Sequence, residues 1–129
     1  MALRRLATAL SAVLLALPVA AFALTDISRD ELKALQAGTD KPVLVDVRSA
    51  EEFAAGHIAG AINIPHDQLP ARAGELAAHK ADGSLVLYCR SGRRTGLAAA
   101  ALESQGFSGL KHLAGDMQGW QEAGEPVAK

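Results

Sequence analysis

The chain has 129 residues, half of them hydrophobic and about a fifth charged, with a formal net charge of -1. That size and balance fit one globular domain and argue against disorder, and the charge argues against the broad basic surface of a nucleic-acid binder. A single cysteine, Cys89, excludes an internal disulfide, a paired-cysteine redox motif and a multi-thiolate zinc site.

The chain opens Met1-Ala2-Leu3-Arg4-Arg5 and then runs from Leu6 to Ala23 without a charge. Two arginines followed by an apolar run have the layout of a secretory signal peptide. Ala21-Phe22-Ala23 supplies small residues at the -3 and -1 positions, which places cleavage after Ala23. Cleavage after Ala21 is the alternative, because Val19-Ala20-Ala21 also fits. Residues 1–23 are thus expected to be a signal peptide and residues 24–129 one domain in the periplasm. Removing the signal takes two arginines and no acids, which moves the formal charge from -1 to -3. The competing expectation is an uncleaved membrane anchor, since residues 6–24 nearly reach the roughly 20 residues that cross a bilayer.

Thr25-Asp26-Ile27 predicts a very short strand. Ser28 and Glu31 have capping-box spacing and start a helix through Leu32 and Leu35, stopped by Gly38. Val43 to Val47 is an apolar run typical of a buried parallel strand. Ser49 to Ala55 predicts a helical turn or two, ended by Gly56, and Ala61 to Ile64 a short strand stopped by Pro65. Leu69 to His79 predicts a helix despite Pro70 and Gly74. Ser84 to Tyr88 is a second buried strand that runs directly into Cys89. Arg94 to Gln105 predicts an alanine- and leucine-rich helix, Leu110 to Leu113 a last strand, and Met117 to Ala123 a closing helix with Trp120. Strands and helices alternate throughout. The expected fold class is therefore α/β, a central, mainly parallel five-stranded sheet with helices on both faces.

In open α/β sheets, ligands bind at the carboxyl ends of the strands, and Cys89 lies at such an end. Arg90-Ser91-Gly92-Arg93-Arg94-Thr95-Gly96 follows and leads into a helix. A tight strand-loop-helix turn aims backbone N–H groups inward, and the helix N-terminus adds roughly half a positive charge. Three arginines close to the cysteine add more. These effects favour a nucleophilic thiolate that prefers anionic substrates. The competing interpretation is an inert, buried structural cysteine. Export argues against it, because an odd cysteine in an oxidising compartment is a liability unless it does chemistry or pairs with another chain.

The neighbours divide between two roles each. One or two of Arg90, Arg93 and Arg94 are expected to be solvated, with Arg94 the best placed to meet a bound anion. Gly92 meets a backbone requirement for positive φ or close approach. Ser91 either donates to the sulfur or caps the turn. Asp46 and Arg48 leave the end of the first buried strand beside Cys89. They form a structural ion pair, or else Arg48 faces substrate. His57, His66, His79 and His112 lack ligand spacing, and neither a metal nor a cofactor is expected.

With these residues in place, the chain resembles the rhodanese family, specifically its small, single-domain, exported sulfurtransferases. Asp46-Val47-Arg48 matches the family's Asp-x-Arg, and Glu52 to Pro65 its most recognisable segment. Cys89-Arg90-Ser91-Gly92-Arg93-Arg94 resembles the active-site loop. Leu113-Ala114-Gly115-Asp116-Met117, with Trp120, Gly124 and Pro126, resembles the closing motif. The resemblance implies that Cys89 attacks the sulfane sulfur of thiosulfate, releases sulfite and carries a persulfide. A thiophilic acceptor such as cyanide or a thiol then removes that sulfur. Arg90, Ser91, Gly92, Arg93, Arg94 and Thr95 would bind the substrate, and Asp46 and Arg48 would support the loop. The implied partners are a small anionic sulfur donor and a thiophilic acceptor, with no nucleic acid, no membrane after cleavage, and a monomeric state.

Two alternatives belong to the same fold. One is a persulfide carrier without efficient turnover. The other is a dual-specificity phosphatase, whose loop has the form Cys-x5-Arg. Counted from Cys89, that arginine would fall at Thr95, so this loop is one residue short for phosphate.

Overall fold

The computed structural model describes residues 9, 11–13 and 24–129. The expected signal segment, residues 1–23, therefore lies almost wholly outside the described residues. Among the described residues, no helix is long and apolar enough to cross a membrane.

Five strands form one sheet: β1 (Thr25–Ile27), β2 (Val43–Asp46), β3 (Ile62–Asn63), β4 (Leu85–Tyr88) and β5 (Lys111–Leu113). Their order is β1-β5-β4-β2-β3, and every pairing is parallel. Helices α1 (Arg29–Ala37), α2 (Ala50–Ala55), α3 (Leu69–Arg72), α4 (Arg93–Ser104) and α5 (Asp116–Glu122) alternate with the strands. The parallel α/β architecture expected from the alternation is the one observed.

All four residues of β4 are buried, as befits a central strand covered on both faces. Alternation along β2 and β4 divides the core in two. Val45, Leu85 and Leu87 pack with Leu69, Ala98, Ala99 and Leu102, beneath α3 and α4. Leu44, Val86 and Tyr88 pack with Ile27, Leu32, Met117 and Trp120, beneath α1 and α5. Cys89 continues the first of these faces.

The elements start and stop for local reasons. Ser28 accepts from the Glu31 N–H at the head of α1. The fully reciprocal capping box lies one helix later. There Ser49 accepts from the Glu52 N–H, and the Glu52 carboxylate accepts from the Ser49 N–H. Residues 69–79 do not form the single helix expected. They split into α3 and a 3-10 stretch over Ala73–His79. Pro70 lacks a backbone donor, and Gly74 has low helix propensity.

The sheet centre dominates the packing. Leu87→Ala, at a fully buried position of β4, should destabilise the domain by about 3 kcal/mol in urea unfolding. A loss below about 1 kcal/mol would contradict this account of the core.

Candidate active site

The parallel register of β2 with β4 sets Asp46 opposite Tyr88, so the segments after the two strands emerge side by side. Cys89 is the first residue past β4 and Arg48 the second past β2. The backbone then turns through Gly92, which has φ 115°, a left-handed conformation that suits glycine. The turn brings the Gly92 N–H to 2.9 Å from Cys89 Sγ, which accepts its hydrogen bond. The sulfur thus sits at the head of the 12-residue α4 and faces a backbone donor. Cys89 is 1% exposed, yet its sulfur meets a polar group and not only apolar packing.

The structure distributes the other candidate residues among several roles. Arg90, Ser91 and Arg93 are exposed around the loop. Arg94 is half-buried and grips Glu52 of α2 with both guanidinium ends, at 2.5 and 3.0 Å. The Arg94 guanidinium holds the Glu52 carboxyl down to about 2, against the opposing effect of burial and with help from Ser49. Thr95 is buried, its Oγ1 3.5 Å from Asp116 Oδ1. A cleft of about 200 Å³ opens beside the loop, lined by Ser49, Pro65, His66, Gln68 and Arg94 among others. A larger cavity of about 510 Å³ lies between β1 and α1 and includes none of these residues.

Asp46 and Arg48 pair with each other. Arg48 Nη2 lies 2.7 Å from Asp46 Oδ2, and Nε bonds the same carboxylate. Arg48 Nη2 also donates to the Gly56 carbonyl at 2.7 Å, which ties the end of α2 to the site. Asn63 Nδ2 donates to the Asp46 and Arg48 carbonyls and adds β3 to the same cluster.

Two residues outside the sequence-derived set complete the site. Asp116, at the head of α5, is 2% exposed and has φ 54°, rare for a residue with a side chain. Its Oδ1 accepts from the Cys89 N–H at 3.0 Å. His112 on β5 stands between two carboxylates, Nε2 2.9 Å from Asp116 Oδ2 and Nδ1 2.9 Å from Asp26 Oδ1. Asp116 and then Asp26 raise the imidazole to about 9, against the desolvation that opposes it. His112 is therefore an imidazolium at neutral pH and donates to both. The sequence carried one faint signal of this arrangement, a residue with a side chain directly after Gly115 in the closing turn. The rest needs the β1–β5 pairing, which sets Asp26 opposite His112.

The Asp46 carboxylate is fully buried, and among the described residues Arg48 is its only charged hydrogen-bond partner. Arg48→Met should cost roughly 3–5 kcal/mol by urea unfolding, because it strands a buried charge. Near-wild-type stability would show that the pair is not holding this corner.

A family model for the rhodanese-like domain matches residues 28–123. A protein named sulfurtransferase from Allochromatium vinosum is 34% identical over 102 residues, covering 79% of this chain and 92% of that one. A human protein named thiosulfate:glutathione sulfurtransferase is 38% identical over 107 residues, covering 74% of this chain and 92% of that one. The structure of a human single-domain sulfurtransferase superposes with a TM-score of 0.65 at 38% identity, over 78% of this chain and 96% of that one. Other bacterial relatives are longer, and the chain spans between 49% and 65% of their length. With the motifs read from its sequence and the parallel sheet that presents Cys89, the chain belongs to the rhodanese-like domain family, whose relatives named here are sulfurtransferases.

Proposed function

We propose that the protein moves a sulfane sulfur from thiosulfate, or a related anionic donor, to a thiophilic acceptor through a persulfide on Cys89. The observation that carries this reading is the Gly92 N–H directed at Cys89 Sγ across a loop with only four residues between Cys89 and Arg94. The thiolate attacks the outer sulfur of thiosulfate. The sulfur–sulfur bond of the donor breaks, and sulfite leaves with its electron pair. A new sulfur–sulfur bond on Cys89 holds the transferred atom. Cyanide or a thiolate then attacks that outer atom, and Cys89 leaves as the thiolate. A backbone donor fixed beside the sulfur stabilises negative charge there with no reorganisation at the moment of reaction. The exposed Arg90 and Arg93 attract the anionic donor. Arg94, held by Glu52 in the free protein, would meet the donor only by exchanging that partner.

The human relative's name supports a thiol as an acceptor. The short loop favours a single added sulfur over a tetrahedral phosphate. We place the protein in the periplasm as a monomer without a cofactor, a placement that rests on the charge-then-apolar layout of residues 1–23 and on the family resemblance.

The deciding measurement is thiocyanate formation from thiosulfate and cyanide. Wild type should turn over and gain one sulfur by intact mass after incubation with thiosulfate. Cys89→Ser should lose both properties, by at least about a thousandfold in rate. A folded wild type with no added sulfur would sink the proposal. A stable persulfide with negligible turnover would make the protein a carrier. Hydrolysis of an aryl phosphate, lost in Cys89→Ser, would make it a phosphatase.

A further inference from the structure

A buried carboxylate directly behind an anion-binding loop is an electrostatic contradiction. Asp116 Oδ1 lies 3.0 Å from the Cys89 nitrogen. Its Oδ2 lies 3.4 Å from where a Cβ on Gly92 would stand, and the His112 ring 3.7 Å from the same point. An uncompensated negative charge there would repel both an anionic donor and the developing charge on sulfur.

The structure supplies the compensation. His112 places one ring nitrogen on Asp116 and the other on Asp26. The groups facing this ring are Asp26 from β1, Asp116 from the head of α5, and the Cys89–Gly92 turn at the head of α4. Leu87 of β4 stands opposite His112 in register and carries no charge. Lys111, next along β5, projects to the other face of the sheet, toward α1.

We propose that His112 and Asp116 are positioning residues. Asp116 anchors the Cys89 loop, and the His112 imidazolium cancels its charge so that the loop can hold an anionic sulfur donor. This rests on the sulfurtransferase reading for the nature of the donor, but its electrostatic core does not. The sign follows from the pairing. The two carboxylates favour the protonated ring, which persists through neutral pH and loses its proton as pH rises through about 9. Above that point Asp116 stands uncompensated behind the sulfur.

Two measurements test this. In steady state, the wild-type KM for thiosulfate should rise about tenfold as pH passes 9, with a smaller change in kcat. His112→Gln should show the raised KM already at pH 7 and no step near 9. Asp116→Asn keeps an oxygen for the Cys89 N–H and removes the charge, so its KM should stay low across the range. The double variant His112→Gln/Asp116→Asn should recover a KM near wild type, a rescue that a merely structural role would not produce.

The second measurement needs no sulfur transfer. Cys89 is the only cysteine, and its alkylation rates by anionic iodoacetate and neutral iodoacetamide can be compared as a ratio that cancels the thiolate fraction. The wild-type ratio should fall about tenfold as pH passes 9, start low in His112→Gln, and recover in the double variant. A wild-type ratio flat across that range, or a double variant no better than His112→Gln, would overturn the proposal. A pH-dependent ratio in a wild type that forms no thiocyanate would instead overturn the sulfurtransferase reading and leave this one standing.

Discussion

Cys89 lies just past the end of β4, and hydrogen bonds to a helix 27 residues further along the chain hold it in place. Its N–H donates to Asp116 at 3.0 Å, and its carbonyl accepts from the Met117 N–H at 2.9 Å. The Arg90 carbonyl accepts from the Gln118 N–H, which extends the clamp one residue into the loop. The turn at Gly92 and the donor it directs at the sulfur are built on this fixed base. The helix that supplies the clamp is itself held by Met117 and Trp120, both buried against Leu44, Val86 and Tyr88. The geometry at the sulfur is therefore a property of the completed fold and not of the loop alone.

The charges around the site form a pattern that net charge conceals. Each positive group drawn inward is matched by an acid: Arg48 by Asp46, Arg94 by Glu52, and His112 by Asp116 and Asp26. The loop's outward charge comes from Arg90 and Arg93, which are exposed. Burying an ion without a partner costs several kcal/mol, so each cation packed against the sheet needs a carboxylate beside it. Here the carboxylates come from β2, α2, β1 and α5.

Much of this was legible in the sequence. The apolar runs at 43–47 and 84–88 announced buried parallel strands, and the residues after Cys89 announced a tight, positively charged turn. Positions that depend on local chemistry were legible for that reason: the Ser28 cap, the left-handed Gly92, and the stop at Gly56. The place of Arg94 at the end of the loop points to a bound anion, and the free protein gives it Glu52, 42 positions away. Asp116 and His112 escaped for the same physical reason. A histidine between two aspartates becomes a feature only when β1 lies beside β5, and short strands carry too little pattern to fix that pairing. The break of residues 69–79 into two helical forms was a question of degree. Pro70 lacks a backbone donor and Gly74 has low helix propensity, and together they outweigh the apolar pattern.

Because all five strands run the same way, the two ends of the sheet are chemically unlike. Cys89 and the segments that serve it lie at the carboxyl end. The chain enters β1 at Thr25, at the amino end of an edge strand. Whatever is joined ahead of Leu24 is thus attached at the pole opposite the sulfur. The polarity of the sheet thus separates the point where the chain enters the domain from the end where Cys89 stands.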